Sequence, residues 1–215
     1  MHRPLREAGL NLMMNSRIVL VAAWLLAGSA VLANAQEAND SSLRKLAQAA
    51  IDRTSHGVTY DGSYRRIDYP GGDVPDDVGV CTDLVIRAYR AALGIDLQRA
   101  VHEDMTRAFE AYPPIWGLSR PDPNIDHRRV PNLQTFFARN GKTLAGSNDP
   151  SAYRPGDLVT WMLPGNLPHI GIVVHQRSTD GQRPLIVHNI GAGPKVEDRL
   201  LDFPITGHYR FDPEQ

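Results

Sequence analysis

The chain has 215 residues, 42% of them hydrophobic, enough for one domain with a real apolar core. Its formal net charge of −1 at pH 7 gives no electrostatic footprint for nucleic acid. It has a single cysteine, Cys81, which excludes an internal disulfide, so packing alone must hold the fold together.

The first element is an export signal. Arg17 precedes an apolar run from Ile18 to Leu32, and Ala33-Asn34-Ala35 sets small residues at the −3 and −1 positions of a signal-peptidase site. Cleavage is expected after Ala35, with Met13 or Met14 as alternative starts. The run is short for a membrane span, and no cysteine stands directly after it to carry a lipid. The expected product is a periplasmic or secreted chain of 36–215 with no stable membrane anchor. Removal of Arg3, Arg6, Glu7 and Arg17 takes its formal charge from −1 to −3.

Residues 36–52 are expected to form a tail and a first helix, and 53–215 one domain. Leu43, Leu46, Ala47, Ala50 and Ile51 recur at helical spacing behind Ser41 or Ser42 as a cap. Residues 54–79 are rich in Gly, Tyr, Asp and Pro and read as an ordered loop. A second helix from about Val80 to Leu93 ends at Gly94 and carries Cys81, Leu84, Val85, Ala88 and Ala92 on one stripe. A third, about Leu97 to Tyr112, follows Asp96 as its cap. After a Pro- and Asp-rich loop over 113–130, Pro131 and Gly141 frame a short helix with Leu133, Phe136 and Phe137 inside.

Beyond Gly141 the period changes. Segments 157–162, 169–175, 185–189 and 207–211 read as strands with short, antiparallel connections. Helices first and strands second define an α+β domain.

A thiol at a helix start is favoured as thiolate by the unpaired N–H groups and the helix dipole. Cys81 stands there in Asp77-Val78-Gly79-Val80-Cys81-Thr82-Asp83-Leu84, and His169 and His188 lie on two later strands. This order of helix-borne Cys, strand-borne His and a polar residue on the next strand resembles the NlpC/P60 superfamily of papain-like cysteine peptidases. Arg154-Pro155-Gly156-Asp157-Leu158-Val159, His169-Ile170-Gly171-Ile172-Val173 and Leu185-Ile186-Val187-His188 carry the likeness. Asp83-Leu84-Val85-Ile86-Arg87-Ala88, Ile125-Asp126-His127-Arg128-Arg129-Val130 and Ile205-Thr206-Gly207-His208-Tyr209-Arg210 narrow it to the DUF1287 group of exported proteins, over roughly Arg53 to Phe211. NlpC/P60 members commonly carry Ser after the catalytic Cys, where this chain has Thr82 and then Asp83. The substrate of the better-known branches is therefore not transferred.

The resemblance implies a papain-like fold of helices, one carrying Cys81, packed on an antiparallel sheet. It implies a cysteine hydrolase acting on peptidoglycan peptides or another small amide, with Cys81 as nucleophile, His169 as base and His188 as orienter. No metal or cofactor is required. Asn189 competes with His188, because strand alternation points only one of them at His169. Asp83, Tyr60, Asp61, Arg128, Arg129 and Asn189 are candidate substrate contacts. The competing readings are loop packing for Tyr60, Asp61 and Tyr64, and an internal ion-pair network for Asp126, Arg128 and Arg129. Trp116 and Trp161 suit a core or a cleft wall. Metal binding finds no motif: His169 and His175 share a strand face but lie about 20 Å apart, and His102-Glu103-Asp104 is one turn with divergent side chains. Two further functions remain open, a thiol acyltransferase on the same scaffold and a silent wall-binding module.

Overall fold

A computed structural model describes residues 40–212, and the expected signal, start and cleavage site lie outside the described residues. Helix α1 covers 40–52 and buries Leu43, Leu46, Ala47 and Ala50 of the stripe its period predicts, with Ile51 half-buried. The loop that follows contains a two-stranded parallel pairing of β1 (Thr59–Tyr60) with β2 (Val78–Gly79). Buried side chains order the rest of it. Arg87 donates to the Asp73 carboxylate at 2.9 and 3.1 Å and to the carbonyls of Val74 and Pro75. Gln98 accepts from Gly72 N–H and donates to the carbonyls of Asp68 and Pro123. Such bonds replace the water that a buried backbone would otherwise lose.

Helix α2 (Cys81–Leu93) follows and ends at Gly94, whose φ of 65° is the left-handed cap that favours glycine. Helix α3 (Leu97–Arg107) starts at Asp96, whose carboxylate accepts from Gln98 N–H at 3.2 Å. It stops five residues short of the expected Tyr112, and a 3-10 turn covers Phe109–Ala111. The reason is Tyr112: its hydroxyl donates to the Asp104 carboxylate at 2.8 Å. Residues eight apart in a continuous helix are about 12 Å apart along the axis, so the chain must double back to make that bond. Helix α4 (Val130–Asn140) buries Leu133, Phe136 and Phe137 against Tyr89 and Phe211.

The six strands of the second sheet are β3 (Lys142–Leu144), β4 (Leu158–Leu163), β5 (Leu167–Arg177), β6 (Pro184–His188), β7 (Lys195–Glu197) and β8 (Ile205–Arg210). Their order is β3-β8-β4-β5-β6-β7, antiparallel throughout. The four expected strands are present, with bounds shifted by one or two residues. The two short edge strands, β3 and β7, carry no alternating pattern and were not expected. The architecture is α+β, with helices on one face of an antiparallel sheet. Leu158, Ile170, Ile172, Val174 and Val187 face the helical core. Val159, Trp161, Val173, Ile186 and Leu200 form a second core on the other face, where Trp161 Nε1–H donates to the Leu200 carbonyl at 2.9 Å. Trp161 is thus a core residue.

Candidate active site

Cys81 is the first residue of α2 and is buried, with 3% of its surface exposed. The backbone of Ile170 and Thr82 and the hydroxyl of Tyr60 are the polar groups that bear on its sulfur. Ile170 is the residue after His169, so β5 presses its backbone against the thiol. Burial pushes the thiol up to about 11, with the nearby Asp83 charge adding to the rise and the N–H donors opposing it. The thiolate expected from the helix start is therefore disfavoured at rest, because desolvation outweighs the helix terminus here.

His169 and His188 are both buried, and His169 Nε2 lies 2.8 Å from His188 Nδ1. Their rings meet edge to face, 5.0 Å between centroids. Burial, and next the charge of His188, lowers His169 to about 3. Burial also holds His188 below the ordinary imidazole range, against the pull of Glu197. At neutral pH the resting site is thiol and neutral imidazole. His188 Nε2 in turn lies 2.7 Å from Glu197 Oε2. Glu197 sits on the short edge strand β7, and the sequence signal for it is only a carboxylate nine residues after His188.

Asn189, next to His188, turns the other way. Its Nδ2–H donates to the Gly79 carbonyl at 3.4 Å, and its Oδ1 accepts from Gly191 N–H at 3.1 Å. It tethers the loop before Cys81 and does not bond His169. A Cβ at Gly79 would crowd Asp83 Cβ at 3.2 Å and Arg87 Nη1 at 3.3 Å, so those side chains would have to give way slightly.

The remaining candidates separate into two groups. Asp83 accepts from Val80 N–H at 2.7 Å, capping α2, and holds Arg128 at 2.8 and 3.0 Å with both side chains almost wholly buried. Arg128 also donates to the carbonyls of Ser63 and Asp61 at 3.2 and 3.1 Å. This internal network fastens the Tyr60–Ser63 loop over the start of α2. It takes four of the five guanidinium N–H groups, so Arg128 is committed to the interior. Thr82 Oγ1–H donates to the Arg128 carbonyl at 3.1 Å. The Asp61 carboxylate takes Ser63 N–H and Arg65, which hold it well below the usual carboxylate range. Tyr60 is 44% exposed although its hydroxyl reaches Cys81, and burial together with Cys81 raises its phenol. Tyr64 donates to Asp122 and joins this loop to the Pro-rich one.

Arg129 points elsewhere. It pairs with Asp126 at 3.0 Å and stacks over Trp116 at 4.1 Å, in a cavity of about 90 Å³ beneath the 113–118 loop. The structure therefore brings together Cys81, Tyr60 and the backbone of β5 on one side and His169, His188 and Glu197 on the other, and leaves Arg129 out.

A helix-start thiol thus lies beside a strand whose histidine bonds a second histidine, on an α+β scaffold. The model of the family described as Domain of unknown function (DUF1287) matches residues 47–211, and the chain belongs to that family. It is 50% identical over 166 residues to "Uncharacterized protein YijF" of Escherichia coli (strain K12), covering 77% of this chain and 80% of that protein. Among solved structures it is similar to NlpC1 and NlpC2 from Trichomonas vaginalis, at TM-scores of 0.43 and 0.41 and 18% and 16% identity. Those alignments cover 81% of this chain and 45% and 47% of the two structures, so the chain spans just under half their length.

Proposed function

We propose that this protein is an exported cysteine hydrolase that cleaves an amide bond in peptidoglycan stem peptides. The observation that carries the reading is the His169–His188 hydrogen bond at 2.8 Å on the strand that runs beside the buried helix-start thiol. His169 Nε2 is engaged by His188, so Nδ1 is the nitrogen that serves as base. The Cys81 proton passes to His169 as Sγ bonds the amide carbonyl carbon. The Thr82 and Ile170 N–H groups, which bear on the sulfur, are assigned as donors to the resulting oxyanion. Collapse breaks the C–N bond, and His169 gives its proton to the leaving amine. Water then attacks the thioester, His169 takes the water proton, and the S–C bond breaks to restore the thiol.

The expected experiment incubates the mature protein and its Cys81→Ala variant with sacculi and with muropeptides, and reads products by mass spectrometry. New masses from the wild type alone support the reading and identify the bond, whereas equal products from both proteins refute it. A silent wall-binding module is the second reading. It is favoured by the burial of Cys81 and its thiol near 11, and it predicts muropeptide binding with no turnover.

A further inference from the structure

The hydrogen-bond chain leading away from Cys81 does not stop at His188. We propose that Glu197 is a positioning residue that sets the tautomer of both histidines and thereby leaves a bare Nδ1 on His169. The proposal deepens the reading of Cys81 and His169 as nucleophile and base and rests on it for its catalytic meaning.

The argument follows proton positions. An ionised carboxylate offers acceptors only. Glu197 Oε2 lies 2.7 Å from His188 Nε2, so that nitrogen carries a hydrogen. A neutral imidazole has one N–H, so His188 Nδ1 is a lone pair. That lone pair lies 2.8 Å from His169 Nε2, which must therefore be the donor. His169, neutral in its buried site, then has a lone pair on Nδ1. Reversing either ring sets two lone pairs, or two N–H groups, against each other at hydrogen-bond distance.

The tertiary structure holds Glu197 for this task. β7 pairs with β6 so that Glu197 stands opposite Ile186 and His188 opposite Lys195, which places Glu197 and His188 as diagonal neighbours. The other oxygen, Oε1, faces Arg199 Nε at 3.5 Å. The Glu197 side chain keeps 28% exposure while His188 keeps 1%, so the carboxylate stays hydrated as its partner stays dry. Two histidines alone would leave both tautomers open, and a single anchored acceptor removes that freedom.

The test is ring-nitrogen NMR of ¹⁵N-histidine-labelled protein at neutral pH. The wild type is expected to show Nε2 protonated and Nδ1 bare in both His169 and His188. Glu197→Leu, close in shape but with no acceptor, is expected to mix the tautomers of His188 and His169, and Glu197→Asp to restore them. Alkylation of Cys81 by iodoacetamide should slow by more than about two-fold in the Leu variant, because His169 loses the fixed Nδ1 lone pair that takes the thiol proton. A protonated Nδ1 on His188 in the wild type overturns the proposal whether or not the variant folds. So does a Leu variant with unchanged tautomers and alkylation within about two-fold of wild type. The two readings fail separately. Correct tautomers with no Cys81-dependent turnover end the hydrolase reading and spare Glu197. Cys81-dependent turnover with tautomers indifferent to Glu197→Leu does the reverse.

Discussion

Replacing Arg128 by Met removes one partner of a buried ion pair and keeps most of the side-chain volume. The Arg128 and Asp83 side chains are 2% and 3% exposed. The substitution strips two charged hydrogen bonds from Asp83 and leaves the Ser63 and Asp61 carbonyls without their donor. Breaking a buried pair from one side costs about 3–5 kcal/mol, because the remaining charge stays buried. In a domain of this size each kcal/mol moves Tm by about 2–4 °C, so a fall of about 10 °C is expected. Urea unfolding should show a lower midpoint with an unchanged slope. The Asp83→Ala/Arg128→Met double variant should lose less than the sum of the single changes, because the stranded carboxylate is gone. Release of the Tyr60–Ser63 loop should also speed Cys81 alkylation. A loss below about 1 kcal/mol, the value of an exposed pair, together with additive single variants, would refute the network as the loop's fastener.

Stability should fall on acidification. His169 and His127 are held down to about 3 and about 4, first by burial and then by a neighbouring cation. The unfolded chain therefore takes up their protons below pH 6.5 while the fold excludes them. The stabilisation is whole above pH 6.5 and is lost as pH drops toward 4, at about 1.4 kcal/mol per pH unit for each group; a flat urea midpoint over that window would contradict the burial. Tyr60→Phe removes a donor from the Cys81 sulfur, and the thiol, followed by thiolate ultraviolet absorbance, should titrate above about 11; a lower value would show that the hydroxyl does not stabilise the thiolate. Gly171→Ala should lower the melting temperature and perturb the His188 ring signals, because a Cβ there meets the Val187 carbonyl oxygen at 2.9 Å, His188 Cβ at 3.1 Å and the Trp161 ring at 3.3 Å; an unaltered melt would mean that β4 and β6 have room to part.

Periodicity made α1, α2 and α4 legible, along with the four central strands, because each repeats its apolar residues at the spacing of one buried face. The alternation of β6 also foretold that His188 and Asn189 would diverge. It could not say which one meets His169, since the strand's face depends on what packs against it. The premature end of α3 was hidden, because a hydrogen bond between Asp104 and Tyr112 overrides a helical pattern that runs through both. The edge strands β3 and β7 were hidden as well: three-residue strands draw their order from pairing with β8 and β6 and need no pattern of their own.

The sequence by itself determined the α+β class, the lone thiol at a helix start and the two histidines on neighbouring strands, because these follow from local spacing and residue type. Only the tertiary structure decided that the thiol rests neutral, that Arg128 serves Asp83 and the Tyr60 loop, and that Glu197 ends the histidine chain. Protonation depends on how much water each group loses on folding, and ion-pair partners 45 residues apart in the chain, like Asp83 and Arg128, are chosen by packing that no local pattern records.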